Sequence, residues 1–142
     1  MYTIYTDAST QGNLGPCGVG ITILHNNSQI QLSIPLNKHY TNHQAEFIAQ
    51  IISLQYLYQN FNISDDLIFL NSDSKLVVSA IQKNHVNDKF QDLFDELTAF
   101  FNKNPNLFIK WIPESKNKGA DNLARQALRK ALKNKVNTDY SF

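Results

Sequence analysis

Two runs of alternating apolar residues constrain this chain most. Val19, Ile21 and Ile23 repeat at every second position, as do Ile30, Leu32, Ile34 and Leu36. Between them lies the polar stretch His25-Asn26-Asn27-Ser28. A period of two places one set of side chains on one face of a strand, so two such runs around a short polar turn predict a β-hairpin. Residues 2–6 alternate strand formers and end at Asp7. The first three strands are therefore expected to be antiparallel neighbours. Residues 8–16 carry Gly, Asn and Pro and read as a loop.

The pattern then changes period. Ala45, Ile48, Ala49 and Ile52 keep the i, i+3, i+4, i+7 spacing of one helix face, which predicts a long helix from Asn42 to Phe61 capped by Thr41 or Asn42. Leu67-Ile68-Phe69-Leu70 is a short continuous apolar run, the signature of a central strand covered on both faces. Ser72-Asp73-Ser74 starts a helix to about Lys83, and a second helix runs from Asn87 to Asn102 with Phe90, Leu93, Phe94, Leu97 and Phe101 inward. Leu107 to Ile112 is the last strand, residues 113–118 a polar loop, and Gly119 to Lys133 the final helix, packed through Leu123, Ala127 and Leu128. The order β-β-β-α-β-α-α-β-α predicts a mixed α/β sheet with helices on its faces.

At 142 residues and 42% apolar content, the chain is long enough for one domain with its own core, expected over residues 1–135, with a frayed tail over 136–142. No apolar run reaches the roughly 18 residues that span a bilayer, and the strand-like N-terminus does not read as a signal peptide. One cysteine, Cys17, excludes an internal disulfide and a cysteine-based zinc cage. The expectation is a cytosolic monomer. A net charge of +1 is low for a general nucleic-acid binder, but the charge is unevenly spread. Residues 110–135 hold eight Lys and Arg against two acids, a net of +6, and residues 1–109 hold five Lys against nine acids, a net of −4. The basic end suits phosphate contact, or it is an exposed helix face made of good helix formers.

Of the twelve acids, eight sit in turns, on an amphipathic helix, in a loop or in the tail. The other four sit at element ends: Asp7 after the first strand, Glu46 in the first turns of the long helix, Asp73 after the central strand, and Asp121 at the start of the last helix. In α/β sheets, ligands bind beyond the carboxyl ends of strands, where Asp7 and Asp73 stand. Clustered carboxylates repel and raise one another's pKa unless a cation compensates. An all-oxygen set without paired histidines suits Mg²⁺ or Mn²⁺ better than Zn²⁺. Simple helix capping explains Asp73 and Asp121 equally well. Asp7 can also be a loop carboxylate, and Glu46 a surface acid.

At these positions the sequence resembles type 1 ribonuclease H, including the domains attached to reverse transcriptases. Four blocks carry the resemblance: Tyr5-Thr6-Asp7-Ala8-Ser9 with Gly12-Asn13 and Gly15 to Gly20; Thr41-Asn42-His43-Gln44-Ala45-Glu46; Ser72-Asp73-Ser74; and Asn117 to Ala124 around Asp121. It implies a five-stranded mixed sheet, antiparallel over strands 1–3 and then parallel, flanked by helices. It implies cleavage of the RNA strand of an RNA–DNA hybrid, with Asp7, Glu46, Asp73 and Asp121 as catalytic ligands of two Mg²⁺ or Mn²⁺ ions. Asn13, Thr41, Asn42 and Lys75 match substrate-contacting positions. Their plain alternatives are a turn residue, two N-caps and a surface charge.

Two features depart from the family. The loop before the fourth aspartate, Trp111 to Asn117, has no histidine, where many members carry one for proton transfer or product release. Such help is worth about 10²- to 10⁴-fold, and Glu114 or Lys116 would have to substitute. The segment Ile81 to Asn87 leaves no room for the basic protrusion with which some members grip the hybrid. A catalytically weak homologue that binds nucleic acid or a partner is the alternative to an active enzyme.

Overall fold

A computed structural model describes residues 1–133 of the chain. The expectation of a frayed segment over residues 136–142 lies outside the described residues. Five strands, β1 (Tyr2–Thr10), β2 (Cys17–His25), β3 (Ser28–Pro35), β4 (Ile68–Ser72) and β5 (Leu107–Trp111), form one sheet in the order β3-β2-β1-β4-β5. β1, β2 and β3 pair antiparallel, and β4 joins β1 and β5 in parallel. The four helices are α1 (Asn42–Asn60), α2 (Lys75–Lys83), α3 (Gln91–Lys103) and α4 (Lys118–Leu132). Among the described residues no helix is long and apolar enough to cross a membrane.

The hairpin forms where the alternation places it. Asn26 and Asn27 make the turn, with Asn26 at φ +55°, a left-handed conformation that Asn tolerates better than most residues. β1 is longer than its alternation suggests. It continues through Ala8, Ser9 and Thr10 because β2 pairs with it as far as Thr10–Cys17, whereas the parallel ladder with β4 stops at Thr6–Ser72. Asp7 is thus not the last residue of its strand. It is the first residue past the parallel ladder, still held on its other side by β2.

One face of the sheet carries α1, packed on β1 and β2 and flanked by α2 and α3. The expected stripe Ala45, Ile48, Ala49 and Ile52 is buried, but so are Phe47, Gln50, Ile51, Ser53 and Leu54 on the helix's other sides. A helix enclosed between a sheet and two other helices has no solvent face along its middle. Gln50, 1% exposed, therefore needs a buried partner, and its amide donates to Thr6 Oγ at 2.6 Å. Phe90, Phe94 and Leu97 of the third helical stretch are buried as expected; Leu93 and Phe101 are half-buried. Its first turn, Asp88–Phe90, is a 3₁₀ turn rather than part of the α-helix.

The opposite face carries α4, laid over β1, β2 and β3. β4 and β5 lie beyond its reach. The expected coverage of β4 on both faces holds for Ile68, Leu70, Asn71 and Ser72, which are buried; Phe69 is half-buried and stacks on Phe108, itself 47% exposed, and Leu67 precedes the strand and is exposed.

Candidate metal and catalytic site

Where the parallel β1–β4 ladder ends at Thr6 and Ser72, the next residues, Asp7 and Asp73, lie beside each other, and the first turn of α4 brings Asp121 over Asp7. Asp7 Oδ1 accepts from the Ala8 N–H at 2.9 Å. Burial, then the charge of Asp73 and that of Asp121, push the Asp7 carboxyl up to about 8, with the Ala8 N–H pulling against them. Asp121 stands close enough to Asp7 to add to that rise. The Asp73 carboxyl is likewise raised, first by burial and then by Glu46, Glu114 and Asp121, against the Asn117 amide that bonds it. Arg125 pairs with Asp121 at 3.2 Å and His43 with Glu46 at 3.0 Å. Asp7 and Asp73 have no cationic partner among the described residues.

The capping explanation is settled for Asp73. The N-cap of α2 is Ser74, whose Oγ accepts from the Val77 N–H, and Ser72 stays in β4. Asp73 sits between strand and helix with neither role. Asp121 lies in the first turn of α4, but the cap position is Asn117, which makes no side-chain cap bond. For α1 the cap is Thr41, closed into a capping box with Gln44, so Asn42 is the first helical residue.

Glu46 projects from α1 into a tight set of donors. Oε2 receives Ser74 Oγ–H at 2.7 Å and faces His43 Nδ1 at 3.0 Å, and Oε1 receives the Asn42 amide at 3.2 Å. As these side chains stand, no three acidic or histidine groups among the described residues are close enough to enclose an ion. In donor chemistry the residues nonetheless fit a hard divalent cation: four carboxylates, two of them pushed toward neutrality by burial and by neighbouring carboxylates.

The remaining candidates divide. Asn42 is in the cleft, its Oδ1 accepting from Thr10 Oγ at 3.3 Å and its amide on Glu46. Thr41 is occupied by the cap. Asn13 is exposed in the turn after Gly12, whose φ of +79° suits glycine. Lys75 lies over the Trp111 ring at 5.3 Å. Two residues were not singled out by sequence as parts of the site. Ser74 ties α2 to Glu46, and Asn117 donates from Nδ2 to Thr6 O at 2.8 Å and to Asp73 Oδ2 at 3.3 Å. Neighbourhood in the motifs, Ser74 next to Asp73 and Asn117 four before Asp121, was the only available signal. His43, half exposed at the start of α1, is bonded to Glu46. The basic residues Arg125, Arg129 and Lys130 of α4 and Lys133 at its C-cap are all exposed.

A family model described as RNase H matches residues 1–129. The chain is 44% identical over 136 residues to EbsB of Enterococcus faecalis, provisionally named a hydrolase, covering 95% of this chain and 99% of that one. It is 36% identical over 81 residues to Ribonuclease H of Desulforamulus reducens, a match spanning 57% of this chain and 47% of the relative. Among solved structures it is similar to LC11-RNase H1 in complex with RNA/DNA hybrid, with a TM-score of 0.83, 29% identity, and coverage of 93% of this chain and 99% of that one. RNase H1 of Halobacterium salinarum gives a TM-score of 0.80 at 27% identity, with 92% and 98% covered.

Proposed function

Because the chain belongs to the type 1 ribonuclease H family, we propose that it is an endoribonuclease that hydrolyses the RNA strand of RNA–DNA hybrids, with Asp7, Glu46, Asp73 and Asp121 holding two Mg²⁺ or Mn²⁺ ions. The observation that carries this reading is that Asp7 and Asp73 are both raised, first by burial and then by neighbouring carboxylates, without a cationic partner. Acids arranged this way cost stability unless a ligand compensates them, which is how functional sites differ from surface acids. A family neighbour 29% identical to this chain has been solved on an RNA/DNA hybrid.

Divalent cations at such a site supply an activated water and stabilise the leaving oxygen of the phosphodiester. The chain's own residues do the rest. Asp7 and Asp73 form the centre, fixed by Ala8 N–H and the Asn117 amide. Glu46 and Asp121 flank them from α1 and α4. Asn42 touches both Glu46 and Thr10, so a minor-groove contact by Asn42 is coupled directly to a ligand. Asn13, Thr41 and Lys75 are proposed as further substrate contacts. The exposed cations of α4 offer phosphate contacts.

A second reading is a binding protein with weak or no cleavage. The absence of histidine from the loop before α4 favours it, as does the extra negative charge that Glu114 places near Asp73. One assay separates the two. Labelled RNA–DNA hybrid is incubated with the protein plus Mg²⁺, Mn²⁺ or chelator. Metal-dependent cuts in the RNA strand support the enzyme. Tight hybrid binding with no cuts under any condition supports the binder, and cleavage of duplex DNA in preference to hybrid overturns the substrate assignment.

A further inference from the structure

A pocket opens one pleat away from Asp7. On the α4 side of the sheet, Thr22 pairs with Tyr5 and Gly20 with Asp7, so Tyr5 and Asp7 share a face two residues apart, about 7 Å along a strand. Tyr5, Thr22, Leu24, Gln29, Lys116, Asn117, Gly119 and Ala120 line an open pocket of about 270 Å³. That is just below the roughly 300–1,000 Å³ of pockets for drug-sized molecules, so it suits a small group rather than a large one.

Its chemistry is one-sided. The roof is the start of α4, a 15-residue helix whose cap residue Asn117 provides no side-chain acceptor. The first intrahelical bond is Asp121 N–H to Asn117 O. The N–H groups of Lys118, Gly119 and Ala120 are therefore those that the helix itself cannot satisfy, and they carry its positive dipole end. Among the described residues, Lys116 is the single ionisable side chain of the lining besides the Tyr5 phenol, and no acid lines it.

A second, independent observation points to a ligand. Thr22 and Asn117 are 6% and 2% exposed, and Thr22 Oγ1 and Asn117 Oδ1 have no hydrogen-bond partner. Buried polar atoms are almost always paired. The Asn117 amide nitrogen is already used on Thr6 O and Asp73, which leaves Oδ1 as a free acceptor. Thr22 Oγ1 is the nearest atom, at 3.9 Å, to where a Cβ on Gly119 would stand, so it faces the first turn of α4.

We propose that this pocket binds a phosphate monoester, with the 5′-phosphate end of a cleaved RNA as its source. The phosphate oxygens take the N–H groups of the α4 first turn, Lys116 and the Thr22 and Tyr5 hydroxyls, and Asn117 Oδ1 accepts from a ribose hydroxyl. Backbone N–H groups at a helix start together with an ammonium form an ordinary phosphate cradle. The choice of RNA as source rests on the ribonuclease reading; the phosphate chemistry does not.

The test follows ¹H–¹⁵N resonances of the full chain in chelator while three probes are added: inorganic phosphate, a 5′-phosphorylated diribonucleotide, and its 5′-hydroxyl form. Saturable shifts at the Gly119 and Ala120 amides are expected with the first two. The phosphorylated dinucleotide should bind about tenfold tighter than the 5′-hydroxyl form, as charge-assisted bonds are lost with the phosphate. Thr22→Val, nearly isosteric, should weaken both by about threefold or more while the rest of the spectrum stays, and Lys116→Ala should do the same. Shifts that do not saturate, or that are unchanged in Thr22→Val, overturn the site. Equal binding of the 5′-hydroxyl form, or saturation by inorganic phosphate alone, overturns the RNA end as ligand. Hybrid cleavage is measured separately. Its absence with the phosphate site intact removes the ribonuclease reading and the RNA source but not the pocket, and the reverse result removes the pocket alone.

Discussion

Asp7 and Gly20 stand opposite each other across the β1–β2 ladder, and the glycine is what lets α4 reach the carboxylate. A Cβ on Gly20 would run into the Ala120 carbonyl, the Ala124 amide and the Leu123 side chain. Gly18, two residues earlier on the same face, is covered as closely by Ala127 and Leu128. The pair of glycines forms a flat track on which α4 lies, and Asp121 rides on the end of that helix above Asp7.

Gly20→Ala should therefore lift the start of α4. Overpacking a close contact costs roughly 1–3 kcal/mol, and the backbone atoms in the way cannot swing aside as a side chain would. Urea denaturation should show that loss, and hybrid cleavage should fall with it because Asp121 is displaced. A Gly20→Ala protein with wild-type stability would contradict the close approach.

The metal-free protein should lose stability as pH rises from about 4 to about 8. Asp7 holds its proton in the folded chain up to about 8, far above the ordinary 3.8, so between those values the folded state binds more protons than the unfolded one. That contribution is complete below about pH 4 and is lost as pH climbs through the folded value. Asp73, also raised, acts in the same direction. Asp7→Asn should flatten this slope and stabilise the protein at about pH 8 by roughly 1–3 kcal/mol, seen as a higher melting temperature, while abolishing cleavage. Calorimetry in chelator at several pH values reads the slope; a lower melting temperature for Asp7→Asn at pH 8 would sink the clustering argument.

Ser74→Ala should do two separable things. Loss of the α2 cap costs about 1 kcal/mol. Loss of the Oγ–H on Glu46 frees that carboxylate and should weaken Mg²⁺ binding several-fold, read by titration calorimetry. Ser74→Thr keeps both bonds and should restore both. If stability falls but Mg²⁺ affinity does not, Ser74 serves the helix only.

Asn117→Ala removes the amide that favours the charged form of Asp73, so that carboxyl should rise further. It also strips a partner from the buried Thr6 carbonyl, a loss of about 1–3 kcal/mol. Thermal melts at pH 6 and pH 8 should show a lower midpoint at both and a steeper difference between them than in the wild type. A pH dependence equal to that of the wild type would separate Asn117 from Asp73.

Charge reversal at Arg129 and Lys133, both exposed at the C-terminal end of α4, should weaken hybrid binding at low salt. The slope of log affinity against log salt should shrink by about 0.9 for each phosphate that the protein no longer neutralises. Unchanged slopes would return these residues to the role of a solvated helix surface.

Much of this molecule was readable from the chain alone. The period-two runs, the turn at Asn26 and the helical spacing from Ala45 gave the elements and their order, because side-chain periodicity is set by local geometry. The four acids stood out because element ends can be located in sequence. What sequence could not determine was which surfaces those elements share. The stripe Ala45, Ile48, Ala49 and Ile52 does not include Gln50, and only the packing of α1 between sheet and helices makes it a buried partner of Thr6. The apolar run Leu67 to Leu70 reads as doubly covered, and only the fold leaves Leu67 outside the strand and Phe69 half-buried against Phe108. Asp73 and Asp121 read equally as caps until Ser74 and Asn117 occupy those positions. Gln50 meets Thr6 and Phe69 meets Phe108 across tens of positions, and the energies that shift Asp7 depend on distance and burial in three dimensions rather than on neighbours in the chain.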